Sequence, residues 1–131
     1  MLGRIAVSLA FVLSASAAAS QTRPSPDNEI SVRNYDQLER IPVGTRIRFT
    51  GYFQQGHELA GIYLSRRDYE GVSHRCVSVT DTSILKRHSD GIRRVIHGTL
   101  VENPCAPGGG LVCLNACFEY RVRVEAITPQ R

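Results

Sequence analysis

A chain of 131 residues with 42% hydrophobic positions is one domain's worth of core. Sixteen Lys and Arg against twelve Asp and Glu give a net charge of +4, which attracts anions weakly and excludes the composition of a committed nucleic-acid binder. Nothing after residue 20 is apolar enough for a membrane span.

The opening, MLGRIAVSLAFVLSASAAAS, carries one early cation, Arg4, then a short apolar run and a block of small residues. That is the layout of a secretory signal peptide over residues 1–19, cleaved near Ala19, and it predicts a periplasmic or secreted protein. Residues 20–33 (SQTRPSPDNEISVR) are polar and proline-containing, and are expected to form a flexible leader. The folded domain is then expected over 34–128, with 129–131 as a tail.

Asn34, with Gln37 three residues on, has the spacing of a helix cap, so 35–40 is predicted as a short helical turn that Pro42 and Gly44 end. From Thr45 the hydrophobic period changes to two. In TRIRFTGYF, Ile47, Phe49 and Phe53 point one way and Arg46, Arg48, Thr50 and Tyr52 the other, with Gly51 marking a bulge or bend. GIYLS is a second strand, and the polar run SRRDYEGVSH a turn. CVSVT is a third strand, with Val77 and Val79 on one face. Asp81 can cap a short helix over 82–88, which Asp90 and Gly91 break. IRRVIHGTLV is a fourth strand with Gly98 inside it. FEYRVRVEAI is the clearest strand: Phe118, Tyr120, Val122, Val124 and Ala126 face in, and Glu119, Arg121, Arg123 and Glu125 face out, where cross-strand ion pairs account for them.

Four cysteines in an exported chain predict two disulfides, and the residues alone leave all three pairings open. Zinc favours C-x2-C or C-x4-C pairs; Cys113 and Cys117 fit loosely, and Cys105 and Cys113 do not fit. No C-x-x-C redox pair, nucleophile elbow, P-loop, dinucleotide fingerprint or H-E-x-x-H occurs, and His57, His74, His88 and His97 are scattered. The expectation is a protein without metal or cofactor and without enzymatic activity.

The segments IPVGTRIRFTGYF, GIYLSRRDYEG, CVSV, HGTLV and FEYRVRVEAI, in this order, resemble the OB-fold, and in particular the small exported OB-fold-like proteins of bacteria, over residues 40–128. The resemblance implies an all-β domain: a five-stranded Greek-key OB-like barrel with a short helix between strands three and four. It makes strands three and five parallel neighbours, which implies the pairing Cys76–Cys117, with both cysteines outward, and leaves Cys105–Cys113 to close the following loop. It also implies a binding face on strands two and three, which here offers Tyr52, Tyr63, Arg66, Arg67, Tyr69, His74 and Arg75 for stacking and for holding anions. The same arginines beside Asp68 and Glu70 also read as a solvated turn. Arg46, Arg48, Arg93 and Arg94 suggest a second basic stripe. The expected function is a small exported binding module for an anionic envelope glycan or lipid, or for a protein partner. The alternatives are an accessory subunit of an envelope complex and an oligonucleotide-binding OB domain, and export makes nucleic acid the less expected partner.

Overall fold

The structure is a computed structural model and describes residues 28–56, 60–71, 73–114, 117 and 119–131. The predicted signal peptide, most of the leader, His57 and Phe118 lie outside the described residues. The strands are β1 (Ile30–Val32), β2 (Arg46–Gln55), β3 (Ala60–Tyr63), β4 (Val77–Val79), β5 (Arg93–Val101) and β6 (Tyr120–Pro129). They form one six-stranded mixed sheet in the order β1-β2-β3-β4-β6-β5, with β2 bonded to β5 as well. The pairs β1–β2 and β4–β6 are parallel and the others antiparallel.

Six strands replace the expected five. The additional one, β1, falls inside the stretch read as a flexible leader. Three residues are too few to show a period, yet Ile30, Ser31 and Val32 pair with Ile47, Arg48 and Phe49, and Val32 is buried. The backbone ladder and one apolar anchor hold a segment that composition alone reads as loop.

The inward residues of the alternating strands meet in the main core. Ile47, Phe53, Ile62, Val77, Ile96 and Val122 are fully buried. Leu38 from the helical turn Tyr35–Arg40 and Leu85 from helix α2 (Ser83–His88) close the same core, numbering that helix after α1 (Arg66–Glu70). At the first turn the Asn34 side chain accepts from the Gln37 N–H at 3.1 Å, while the Gln37 side-chain oxygen, Oε1, accepts from the Arg33 N–H at 2.7 Å. Helix α1 occupies a run read as turn: the Ser65 hydroxyl accepts from the Asp68 N–H at 3.1 Å and donates to the Asp68 carboxylate at 2.6 Å. That S-x-x-D cap is the signal for a helix start.

Two expectations about the long strands are corrected. Gly51 is not a register break; there β2 passes from pairing with β5 to pairing with β3, and Tyr52 pairs with both. The irregularity lies at the His97–Gly98 step of β5, where His97 opposes Ala126 but Gly98 opposes Val124, so Glu125 is the extra residue on β6. A side chain at Gly98 would meet the Arg123 carbonyl oxygen at 2.5 Å, which is why glycine stands at this bulge. The extra residue reverses the alternation after it. Ala126, expected to face in, is exposed, and Ile127 packs on the core instead.

Candidate functional site

The disulfides join Cys76 to Cys117 and Cys105 to Cys113. Cys76 and Cys117 lie beside Val77 and Tyr120, the residues that β4 and β6 pair across their parallel ladder. They point away from the main core but not into solvent: with Tyr63 they form a second fully buried cluster, covered by Tyr69. Gly61 makes room for them, since a side chain there would sit 2.2 Å from Cys117 Sγ and 2.8 Å from the Val77 carbonyl oxygen. The Ser78 hydroxyl and the Asn103 amide both donate to the Cys117 carbonyl, at 2.8 and 2.9 Å, and tie the β5–β6 connection to the sheet.

The face chosen from the sequence is brought together only in part. Tyr52, Tyr63 and Tyr69 form an aromatic cluster: Tyr52 stacks on Tyr69 at 5.2 Å between centroids, and Tyr63 meets Tyr69 edge-on at 6.0 Å. Burial, reinforced by the Asp68 charge, pushes the Tyr63 phenol up to about 12, and its hydroxyl, buried, has no hydrogen-bond partner among the described residues. Arg66 is held by Glu70 one helical turn on, at 2.7 Å, with both side chains largely exposed. Arg67 is exposed on the same short helix, and His74 is exposed beyond it. Arg75 turns elsewhere, to the Asp36 carboxylate and to the face of the Tyr35 ring, 5.4 Å from its centroid. The tyrosines are thus occupied with one another and two of the arginines with carboxylates.

A cleft of about 430 Å³ lies elsewhere, between the β2–β3 connection (Gln55, Gly56, Ala60) and the disulfide-closed loop (Asn103, Cys105, Cys113, Leu114). Val79 and Leu85 supply an apolar lining, and Arg121 is the one positively charged residue that lines it among the described residues. The sequence reads Arg121 as an outward, ion-paired strand residue. The structure sets it half-buried in the cleft with no ion-pair partner among the described residues, while Glu125 is taken by Arg46 at 3.2 Å and by the Thr99 hydroxyl at 2.6 Å. The signal for this site was the spacing of Cys105 and Cys113, which fixes a loop above the start of β6. Beyond the cleft, Leu111, Val112 and Leu114 expose an apolar loop tip, with Val112 96% exposed.

Among the described residues, no group of three or more His, Cys, Asp or Glu side chains could hold a metal ion, and no helix is long and apolar enough to cross a membrane. Compared with protein-family models, curated proteins and solved structures, the chain matches none of them.

Proposed function

We propose that the protein is a small exported binding module, built as an OB-like Greek-key barrel, whose cleft takes an anionic envelope glycan. The barrel reading is supported by the pairing of β2 with both β3 and β5 and by the helix between β4 and β5. Export is supported by the two disulfides, which persist in oxidising compartments. The observation that carries the ligand reading is Arg121, a guanidinium half-buried without an acid partner among the described residues, in a cleft that also offers apolar surface. Such a cleft suits a sugar ring against the exposed Leu114, with a carboxylate or phosphate on the guanidinium.

The test is an array of acidic and neutral oligosaccharides probed with the oxidised protein. Selective capture of acidic glycans, lost in Arg121→Gln and kept in Arg66→Gln, is the expected result. Equal capture by wild type and Arg121→Gln refutes the assignment. The exposed Leu111, Val112 and Leu114 favour a second reading, an accessory subunit that docks this tip on a larger envelope protein. Co-purification of one protein, insensitive to salt and abolished by Val112→Ser with Leu114→Ser, would identify it.

A further inference from the structure

We propose that the outer face of β1, β2 and β5 is a second anion site, distinct from the cleft, that takes a phosphate monoester. The register places the residues. Ser31 on β1 stands beside Arg48 on β2, and Arg33 follows Ser31 by two. Across β2, Arg48, Thr50 and Tyr52 oppose His97, Val95 and Arg93 of β5, so these side chains share one face. Ser31, Arg33, Arg48, Thr50 and Arg93 line a hollow of about 310 Å³. A second hollow shares Arg48 and Val95 with it and continues past His97 to Arg131.

The arginines of the sheet divide by what they touch. Arg46 is paired with Glu125, and Arg94 with Asp90 at 2.7 Å. Arg33, Arg48 and Arg93 have no ion-pair partner among the described residues. The carboxylate on this face, Glu29, is engaged by His97, with Oε1 2.9 Å from Nδ1. Arg93 is pre-placed: one Nη donates to the Thr50 hydroxyl at 2.6 Å, and its Nε is buried without a partner among the described residues. Three unpaired guanidinium groups around a concave surface repel one another, and an anion in the hollow relieves that repulsion.

The number of donors selects the chemistry. One carboxylate, with two oxygens and one charge, is satisfied by a single guanidinium fork. A phosphate monoester carries about −1.5 to −2 charge and three terminal oxygens, so it can accept from all three arginines and from the Ser31 and Thr50 hydroxyls. A hollow of about 310 Å³ is at the small end of ligand pockets, and its continuation toward His97 has room for the organic part of a sugar phosphate or a lipid headgroup.

The experiment titrates the oxidised full chain in an Arg121→Gln background, which removes the guanidinium of the cleft, in phosphate-free buffer at low salt, with glucose 1-phosphate, glucose and glucuronate, following arginine Nε–Hε resonances by NMR. Vesicles of phosphatidylcholine with and without phosphatidic acid form a parallel arm. Saturable binding of glucose 1-phosphate, none of glucose, and weaker binding of glucuronate are expected. Arg33→Gln and Arg48→Gln should each weaken it about tenfold, the effect of losing one charge-assisted pair, with Arg66→Gln unchanged. Arg33 is exposed, so its variant tests the site even where a change at Arg93 disturbs folding. Adsorption to phosphatidic acid vesicles, sensitive to the same two variants, identifies a lipid source of the ester, and binding of the soluble ester alone identifies a sugar phosphate. No saturable binding of either ester, equal loss in all three variants, or glucuronate bound as tightly as the phosphate overturns the proposal. Arg121→Gln separates this outcome from failure of the cleft.

Discussion

Removing the two disulfides one at a time should cost unequal amounts. Cys76–Cys117 closes a sequence separation of 41 and Cys105–Cys113 one of 8. Loop-closure entropy then gives about 4 kcal/mol for the first and about 2.6 kcal/mol for the second. Burial widens the gap. Cys76 and Cys117 are fully buried against Tyr63, so alanines there also leave a cavity, whereas Cys105 and Cys113 are half-buried in a loop. Against a typical stability of roughly 5–15 kcal/mol, the paired change Cys76→Ala, Cys117→Ala should leave a marginal fold. The paired change Cys105→Ala, Cys113→Ala should leave a folded one. Urea unfolding compares them, using the extrapolated free energies and not the midpoints, because releasing a cross-link expands the unfolded chain and raises the slope. A cost for the loop pair equal to or above that of the buried pair refutes the reasoning. Glycan capture should show the opposite order among folded variants, since the loop bridge frames the cleft.

Gly61→Ala places a methyl group against Cys117 Sγ and the Val77 carbonyl, neither of which can move freely. The expected cost is about 3 kcal/mol, the upper range for overpacking, and free thiol should appear on Cys76 and Cys117 in a thiol assay; a fully oxidised variant of wild-type stability counts against the packing described. Tyr63→Phe removes a buried hydroxyl that lacks a partner among the described residues, and should gain about 1 kcal/mol at neutral pH. The same residue governs alkaline stability. Its pKa is raised to about 12 in the fold against 10.0 unfolded, so its contribution is complete below pH 10.0 and is lost as pH rises toward 12. Unfolding curves through that window should fall more steeply for wild type than for Tyr63→Phe, and superimposable slopes would show that the phenol is not shielded.

Strand β2 was legible because Ile47, Phe49 and Phe53 alternate over a run long enough to show its period. The same logic succeeded for β6 up to Val124 and failed one residue later. A bulge depends on what lies across the sheet, here Gly98 with no side chain to hold the Arg123 backbone away, and β6's own sequence carries no mark of it. Strand β1 was hidden because its partner, not its composition, makes it a strand. Helix α1 was legible in principle, through Ser65 and Asp68, but its charges read more strongly as turn.

The arginines raise the harder problem, because sequence counts charges and function depends on which of them are spent. Arg66 and Arg75, grouped with tyrosines on the face read from the sequence, look like ligand contacts, and each has a carboxylate in the fold. Arg121 sits between acidic neighbours at 119 and 125 and looks neutralised, yet Glu119 accepts from the Tyr35 hydroxyl at 3.2 Å and Glu125 pairs with Arg46. Arg66 finds its partner one helical turn on, but the others come from distant segments: Asp36 for Arg75, Tyr35 for Glu119, and β2 for Glu125. Local charge pattern therefore misplaces the reactive surface in a sheet whose strands pair across long separations. Of the cations left without an ion-pair partner among the described residues, Arg33, Arg48, Arg93 and Arg121 line two concave surfaces, while others such as Arg67 and Arg123 stay exposed. A modest net charge of +4 is compatible with local anion binding, because four guanidinium groups without an ion-pair partner among the described residues line concave surfaces.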